Sequence, residues 1–225
     1  MDDLLIIFAK APIAGLVKTR LFPHLSFEEA AEVHRALLTD TVDKVLTMPV
    51  FDVCLAYTPE RCLEVFKQLY AGRVSDYMAQ QGTDLGERMA NAFECAFDRG
   101  TKKAVIIGSD IPTLPVFYIN AAFKRLDNAD LIIGPSADGG YYLVATKRPA
   151  PELFRDIKWS GPDVYKDTLG NAAKLGLKTE LLPVLRDVDT IEDLRGLIGT
   201  KLPPNTQRVL SGLEDKLSGH AAWIL

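Results

Sequence analysis

The sequence has 225 residues, of which 48% are hydrophobic and 25% are charged, and its formal net charge at pH 7 is −4. These values favour one folded α/β domain. The negative balance argues against a nucleic-acid-binding protein, because such proteins normally carry a basic face. The three cysteines lack the spacing of a metal site, and no apolar run is long enough to span a membrane. Since the start of the chain does not resemble a signal peptide, we expect a cytoplasmic protein.

The first predicted strand is the apolar run 4–9, and a loop rich in cations follows it. A strand buried on both faces does not carry charge, so Lys10, Lys18 and Arg20 must gather at its carboxyl end. In open α/β sheets that edge is where ligands bind, and Gly15 lets the chain turn there. We therefore predict an anion site, although the spacing of a P-loop is absent. The alternative is a solvated cluster of surface charges.

Strand and helix patterns alternate along the rest of the chain. The predicted strands are 4–9, 51–57, 77–80, 104–107, 131–133, 141–144 and 179–185, and the predicted helices are 27–45, 59–69, 85–97, 115–126, 162–175, 191–198 and a last one after the prolines at 203 and 204. Ser26 with Glu29 has the form of a capping box, and Thr190 with Asp193 could cap a short helix. The predicted fold is a single α/β domain over residues 1–225, a three-layer α/β/α sandwich with a mostly parallel, mixed central sheet.

Two acidic motifs follow predicted strands. Ser109 and Asp110 come after the run 104–107, where a carboxylate can hold a divalent ion; the alternative is an aspartate that caps the next turn. Asp187 and Asp189 follow the last predicted strand. Taken alone, this run resembles the nucleophile motif of haloacid-dehalogenase-type phosphatases, but it lies too near the end of the chain for that fold. We predict a second metal ligand in this motif, and a helix-capping acidic turn is the alternative.

A third motif is the turn that contains Asp138, Gly139 and Gly140. Two adjacent glycines leave a surface without side chains, against which a sugar or a base could lie. An ordinary hairpin turn explains them equally well. The histidines show no metal-binding spacing and are interpreted as structural: His24, His34 and His220.

Together these motifs resemble the nucleotide-diphospho-sugar transferase superfamily, which has the glycosyltransferase-A type fold. More narrowly, they resemble a family of small bacterial proteins named as glycosyltransferases. The resemblance covers residues 8–194. The segments that carry it are 10–12 with Gly15, 18–23, Gln81 with 84–89, 108–112, 137–143, 159–160 and 187–190.

The resemblance implies a role for individual residues. Lys18, Arg20 and Asp110 form the implied catalytic set. Gln81 is similar to the glutamine that reads a base in some nucleotidyltransferases of the superfamily, and the implied nucleotide-binding residues are Lys10, Gly15, Lys18, Arg20, Gln81, Asp84 and Ser109. The sugar or acceptor is expected to contact Asp138, Gly139, Gly140 and Trp159. Asp110 and Asp189 are expected to bind Mg²⁺ or Mn²⁺, with Asp187 as the alternative to Asp189.

The resemblance also implies a transferase that binds a nucleotide or a nucleotide-sugar. The first expectation is transfer of a sugar from a nucleotide-diphosphate donor to an acceptor. The alternative is nucleotidyl transfer, in which a nucleoside triphosphate is joined to a phosphorylated small molecule and pyrophosphate is released; the cationic first loop favours this reaction on charge grounds. A nucleotide-binding protein without catalysis is a third possibility. The apolar tail 221–225 is compatible with a homodimer contact or with sealing of the core.

Overall fold

The computed structural model describes residues 2–48, 50–74 and 76–218. Within these residues the strands are β1 (Asp3–Lys10), β2 (Asp52–Thr58), β3 (Asp76–Ala79), β4 (Lys103–Ile107), β5 (Leu131–Pro135), β6 (Tyr141–Thr146) and β7 (Thr179–Leu181). The α-helices are α1 (Phe27–Leu46), α2 (Leu63–Tyr70), α3 (Leu85–Asp98), α4 (Val116–Arg125), α5 (Val164–Lys174), α6 (Ile191–Gly196), α7 (Pro204–Ser211) and α8 (Glu214–Leu217). None of the described helices has the length and apolar character needed to cross a membrane.

The strands form one sheet in the order β3-β2-β1-β4-β6-β5-β7. β6 runs antiparallel to both of its neighbours, and the other pairs are parallel. The prediction of a mostly parallel, mixed sheet is therefore confirmed. Because β1, β2, β4 and β5 point the same way, their carboxyl ends lie along one edge, and the turn into β6 lies at that edge as well.

Both faces of the sheet are buried, which explains why β1 reads as a continuous apolar run. Leu5 and Ile7 belong to the core beneath α1, α2 and α4. Leu4 and Ile6 face the opposite core, which includes Phe93 of α3. Helices thus cover the sheet on both sides, as the three-layer prediction requires.

A third apolar cluster joins the start of α1 to the end of the chain and includes Leu37, Val188 and Leu210. Beside it, the buried carboxylate of Asp40 accepts hydrogen bonds from the Thr206 backbone N–H at 2.7 Å and the Thr206 hydroxyl at 2.6 Å. Asn205 donates to the other oxygen of Asp40 through its backbone N–H and its side-chain amide, at 3.1 and 2.8 Å. These bonds attach α7 to α1.

The capping boxes predicted at Ser26 and Thr190 are both present. The predicted strand 179–185 is too long, because β7 ends at Leu181. Beyond Leu181 the segment follows β5 through separate bonds, from Leu182 N to Ile133 O at 2.8 Å and from Leu185 N to Pro135 O at 3.1 Å. The tail 221–225, on which the homodimer expectation rests, lies outside the described residues.

Candidate functional site

Four segments meet at the carboxyl edge of the sheet: the loops after β1 and β4, the turn between β5 and β6, and the segment 182–190. Backbone bonds hold them together. The Val188 N–H donates to Asp110 O, and the Ala137 N–H donates to Leu185 O, each at 2.9 Å. The fold thereby brings the predicted residues Lys18, Asp110 and Asp189 into contact.

Two adjoining cavities open at this edge, of about 370 and 460 Å³. Leu85 and Asp189 line both of them. The first cavity is lined further by Phe8, Ala9, Lys10, Val17, Lys18, His34, Thr58, Gln80, Arg88, Gly108, Ser109 and Asp110. The second is lined further by Arg20, Ser136, Asp138, Gly140, Tyr141, Trp159, Ser160, Gly161, Pro162, Val164 and Asp187. Their shared wall can place two ligands side by side.

Gln80, rather than the predicted Gln81, reaches the first cavity. Its side-chain amide donates to Ala56 O at 2.8 Å, which fixes it against β2. Gln81 is exposed, and its carbonyl accepts a hydrogen bond from Asn91 at 2.9 Å. The role of Gln81 in reading a base stays a prediction. β3 ends at Ala79, so Gln80 is the first residue beyond its carboxyl end.

The ring of His34 also lines the first cavity. It is 5% exposed, and its Nε2 lies 2.9 Å from Lys10 O, a contact that requires a proton on that nitrogen. Nδ1 then carries a lone pair. It has no hydrogen-bond partner among the described residues and lies 4.0 Å from Asp110 Oδ1. Burial lowers the pKa of His34, so the ring is neutral. The apolar stripe of α1 predicted its burial, but nothing local indicated that it faces a cavity.

Lys18 lies among oxygen atoms. Its Nζ is 2.6 Å from Val188 O, 2.7 Å from Asp189 Oδ1 and 2.8 Å from Asp110 Oδ1. Burial alone would lower the pKa of Lys18, but the two carboxylates raise it above its usual value. Burial likewise opposes ionisation of Asp110, yet Lys18 holds the pKa of that carboxyl below its usual value. The group is a charged ion-pair network at the site.

The remaining cations of the first loop are placed differently. The Arg20 side chain is 68% exposed, and its NH1 lies 3.9 Å from Asp189 Oδ2 at the second cavity. Lys10 is exposed at the first cavity. Gly15 has a φ of 78° and makes the turn between them, as its prediction required. Ser109 is buried in the wall of the first cavity.

Carboxylates crowd the second cavity. Burial and the charges of Asp138, Asp189 and Asp110 raise the pKa of Asp187 to about 6. Burial is the larger cause of this shift, and the neighbouring negative charges add to it. Within residues 2–48, 50–74 and 76–218, no group of three or more Asp, Glu, His or Cys is arranged to hold a metal ion by itself. A metal at this site would need ligands from elsewhere.

The Gly-rich turn forms one wall of the second cavity. Asp138 Oδ1 accepts a hydrogen bond from the Gly140 N–H at 2.9 Å and is also bonded to Ser136. Gly139 has a φ of 94°, and a Cβ there would lie 1.9 Å from Pro162 O, so this position requires glycine. The glycine therefore has a packing role, whereas Gly140 lines the cavity.

Trp159 closes another side of the second cavity and packs closely over Gly86, where an added Cβ would lie 2.4 Å from the ring. Asp84, predicted to bind the nucleotide, lines neither cavity. Its side chain accepts a hydrogen bond from the Glu87 N–H at 2.8 Å and caps α3. The observed contact of Asp84 is that of a helix cap.

A family model described as "Uncharacterized protein conserved in bacteria (DUF2064)" matches residues 41–161, which is more than half of the chain. The chain belongs to this bacterial family. Its curated relatives include the 2-phospho-L-lactate guanylyltransferase of Methanobrevibacter smithii, 28% identical over 95% of this chain and 92% of the relative. The enzyme of the same name from Methanocaldococcus jannaschii is 30% identical over 84% of this chain and 80% of that relative.

Solved structures share this fold. A "putative nucleotide-diphospho-sugar transferase" from Desulfovibrio desulfuricans G20 superposes with a TM-score of 0.89 at 32% identity, over 96% of this chain and 97% of that one. A cytidylyltransferase from Leptospira borgpetersenii, 15% identical over 97% and 96% of the two chains, has a TM-score of 0.58 and shows the fold alone. The predicted superfamily is confirmed, and this family member is a transferase.

Proposed function

We propose that this protein is a nucleotidyltransferase, which joins a nucleoside triphosphate to a phosphorylated small molecule and releases pyrophosphate. The observation that carries the proposal is the similarity, over most of the chain, to relatives named 2-phospho-L-lactate guanylyltransferase. It favours the alternative drawn from the sequence over the first expectation of sugar transfer. The two cavities with a shared wall agree with a reaction between two bound molecules.

The linings of the cavities suggest which ligand each one binds. Phe8, Val17 and Leu85 give the first cavity an apolar wall, and Thr58 and Gln80 provide polar groups beside it. An apolar slot with a few polar groups suits a nucleobase. The second cavity combines the Arg20 guanidinium and hydroxyl groups with the carboxylates of Asp138, Asp187 and Asp189, so a small phosphorylated acceptor would bind there together with a cation that offsets their charge. The triphosphate would then lie at the wall that the cavities share.

The reaction joins the two ligands at that wall. An oxygen of the acceptor phosphate bonds to the α-phosphorus of the nucleotide. The bond from that phosphorus to the bridging oxygen breaks, and the electron pair leaves with pyrophosphate. Negative charge grows on the leaving group, so cations placed there lower the barrier, each by on the order of 3 kcal/mol. Arg20, Lys10 and Arg88 are the cavity-lining cations available for this task.

We also propose that Mg²⁺ or Mn²⁺ arrives with the nucleotide. The donor set partly fits, because Asp187 and Asp189 line the same cavity and Asp189 Oδ2 is not bound to Lys18. Mg²⁺ is usually held by one or two carboxylates together with substrate phosphates, and Asp187 and Asp189 supply the carboxylates. When bound, the ion would offset charge on the phosphates. Asp110 fits less well, since Lys18 holds its Oδ1.

The test supplies the purified protein and Mg²⁺ with 2-phospho-L-lactate and each of GTP, ATP, CTP and UTP. Pyrophosphate release and the mass of the nucleotidyl product are measured. We expect turnover with one triphosphate, GTP by similarity to the relatives. Arg20→Ala should lower kcat/KM by about 100-fold, the equivalent of one lost charge contact. The matched control is Arg99→Ala, which removes an exposed arginine paired with Asp76 away from the cavities.

Sugar transfer is the second candidate, because the Desulfovibrio protein named for that activity is 32% identical with a TM-score of 0.89. A thermal-shift panel of nucleoside diphosphate sugars and triphosphates separates the two reactions. Saturation at about 100 times the dissociation constant adds about 2.7 kcal/mol of stability, which a melting curve resolves. Stabilisation by one nucleotide-sugar, with no pyrophosphate released from any triphosphate, would refute nucleotidyl transfer.

A further inference from the structure

The Lys18 ammonium group lies between the carboxylates of Asp110 and Asp189. Although lysine disfavours it, the Lys18 backbone is left-handed, with φ 48° and ψ 38°. Its carbonyl accepts the Leu21 N–H at 3.0 Å and so starts the 3₁₀ turn Thr19–Leu21. The side chain is only 4% exposed. The surrounding fold therefore holds Lys18 in a conformation that directs its side chain inward, away from solvent.

Three oxygen atoms surround the ammonium at 2.6 to 2.8 Å: Val188 O, Asp189 Oδ1 and Asp110 Oδ1. The ammonium donates hydrogen bonds to Val188 O and Asp189 Oδ1, and its charge is paired with that of Asp110 through Oδ1. The oxygens come from the loop after β4 and from segment 182–190, and the Val188 N–H bond to Asp110 O fastens the same two segments at 2.9 Å. Lys18 therefore joins three parts of the chain at one point.

Two carboxylate oxygens and a carbonyl are also the kind of donor set that a divalent cation takes. Here a side chain of the protein lies at their centre. A divalent cation within coordination distance of the same oxygens would be repelled by the buried Lys18 ammonium, because the low local dielectric screens this repulsion poorly. The predicted pair of metal ligands, Asp110 and Asp189, therefore does not fit an ion placed between them.

We propose that the Lys18 ammonium is a built-in cation of this site, which holds Asp110 and Asp189 together and keeps divalent ions out of the space between them. Lys18 is then a positioning residue for the two aspartates, and phosphate contacts are left to the exposed cations of the cavities. A metal ion carried by a nucleotide would meet the site from the side of Asp187. The proposal concerns the protein without nucleotide and is independent of the reaction proposed above.

The test measures Mn²⁺ binding to nucleotide-free protein, by calorimetry and by the electron paramagnetic resonance signal of free Mn²⁺. We expect Asp110→Asn to leave the Mn²⁺ affinity of the otherwise wild-type protein unchanged. We expect Lys18→Met to bind Mn²⁺ about tenfold or more tightly than the wild type, because two carboxylates lose their cation. This gain should vanish in the double variant Lys18→Met/Asp110→Asn. Lys10→Met, which removes an exposed lysine of the first cavity, is the matched control and should show no gain.

Two results would overturn the proposal. One is a loss of Mn²⁺ affinity of tenfold or more when Asp110→Asn is introduced into the otherwise wild-type protein. Such a loss would mean that Mn²⁺ binds to Asp110 and displaces the ammonium. The other is a folded Lys18→Met variant with no gain in Mn²⁺ affinity. Circular dichroism establishes whether that variant is folded. If it is not, the comparison of wild type with Asp110→Asn still decides the question, because it leaves Lys18 in place.

Discussion

Replacing Asp187 with asparagine is expected to stabilise the protein at neutral pH and to leave its stability nearly unchanged at pH 4. Burial and the neighbouring carboxylates of Asp138, Asp189 and Asp110 raise the pKa of Asp187 from 3.8 to about 6. Between these values the folded protein keeps the proton and the unfolded chain releases it. The stability of the wild type therefore falls as the pH rises through this window. Asparagine has no proton to lose, so the variant lacks that fall.

The magnitude follows from the pKa shift. One pKa unit corresponds to about 1.4 kcal/mol, so ionised Asp187 lowers the free energy of unfolding by at most about 3 kcal/mol above pH 7. Asp187 is partly exposed, and solvent screens its repulsion, so we expect about 1.5 kcal/mol. For a protein of this size, that is a rise in Tm of about 3 to 6 °C. Activity should fall in the same variant, because the carboxylate proposed to meet the metal–nucleotide complex is lost.

The assay is urea denaturation at pH 4 and pH 7.5, without divalent ions. Asp167→Asn, which changes an exposed aspartate of α5, is the matched control for the loss of one negative charge. The reasoning about carboxylate crowding is refuted if Asp187→Asn gives the same change at both pH values, or if the wild type is the more stable protein at pH 7.5.

Two further changes test the packing that supports the site. Gly86→Ala would place a Cβ 2.4 Å from the Trp159 ring, so we expect the ring to move. In a Trp223→Phe background, the fluorescence of Trp159 should then shift to longer wavelength. An unchanged spectrum would contradict the close packing. Asp40→Ala removes a buried carboxylate that accepts hydrogen bonds from Thr206. Measured by urea denaturation, this change should lower the free energy of unfolding by about 3 kcal/mol. A loss below about 1 kcal/mol would show that these bonds contribute little.

Much of the fold could be predicted because its signals are local. The apolar run of β1 reflects burial on both faces, and the caps at Ser26 and Thr190 use side chains three residues from their partners. The strand prediction at 179–185 was too long, because beyond Leu181 only separate bonds join the segment to β5. Those bonds depend on a neighbouring strand distant in sequence, and composition alone did not reveal them.

The site could be predicted in outline. The rule that ligands bind at the carboxyl ends of strands brought Lys18, Asp110 and Asp189 to one edge. The other residues that line the site were harder to predict from the sequence. His34 lies on a helix whose apolar stripe predicts only burial, and Gln80 differs from the expected glutamine by a single position at the end of β3.

The sequence alone therefore determined the layers, the direction of most strands and the edge at which charged residues gather, because each depends on hydrophobic period or on residues close along the chain. Only the tertiary structure decided how those charges are paired. Lys18 and Asp189 are separated by 171 positions in the sequence, yet their charged atoms lie 2.7 Å apart. A lysine that could have bound phosphate lies instead between two aspartates, because packing places Val188 and the loop after β4 beside it.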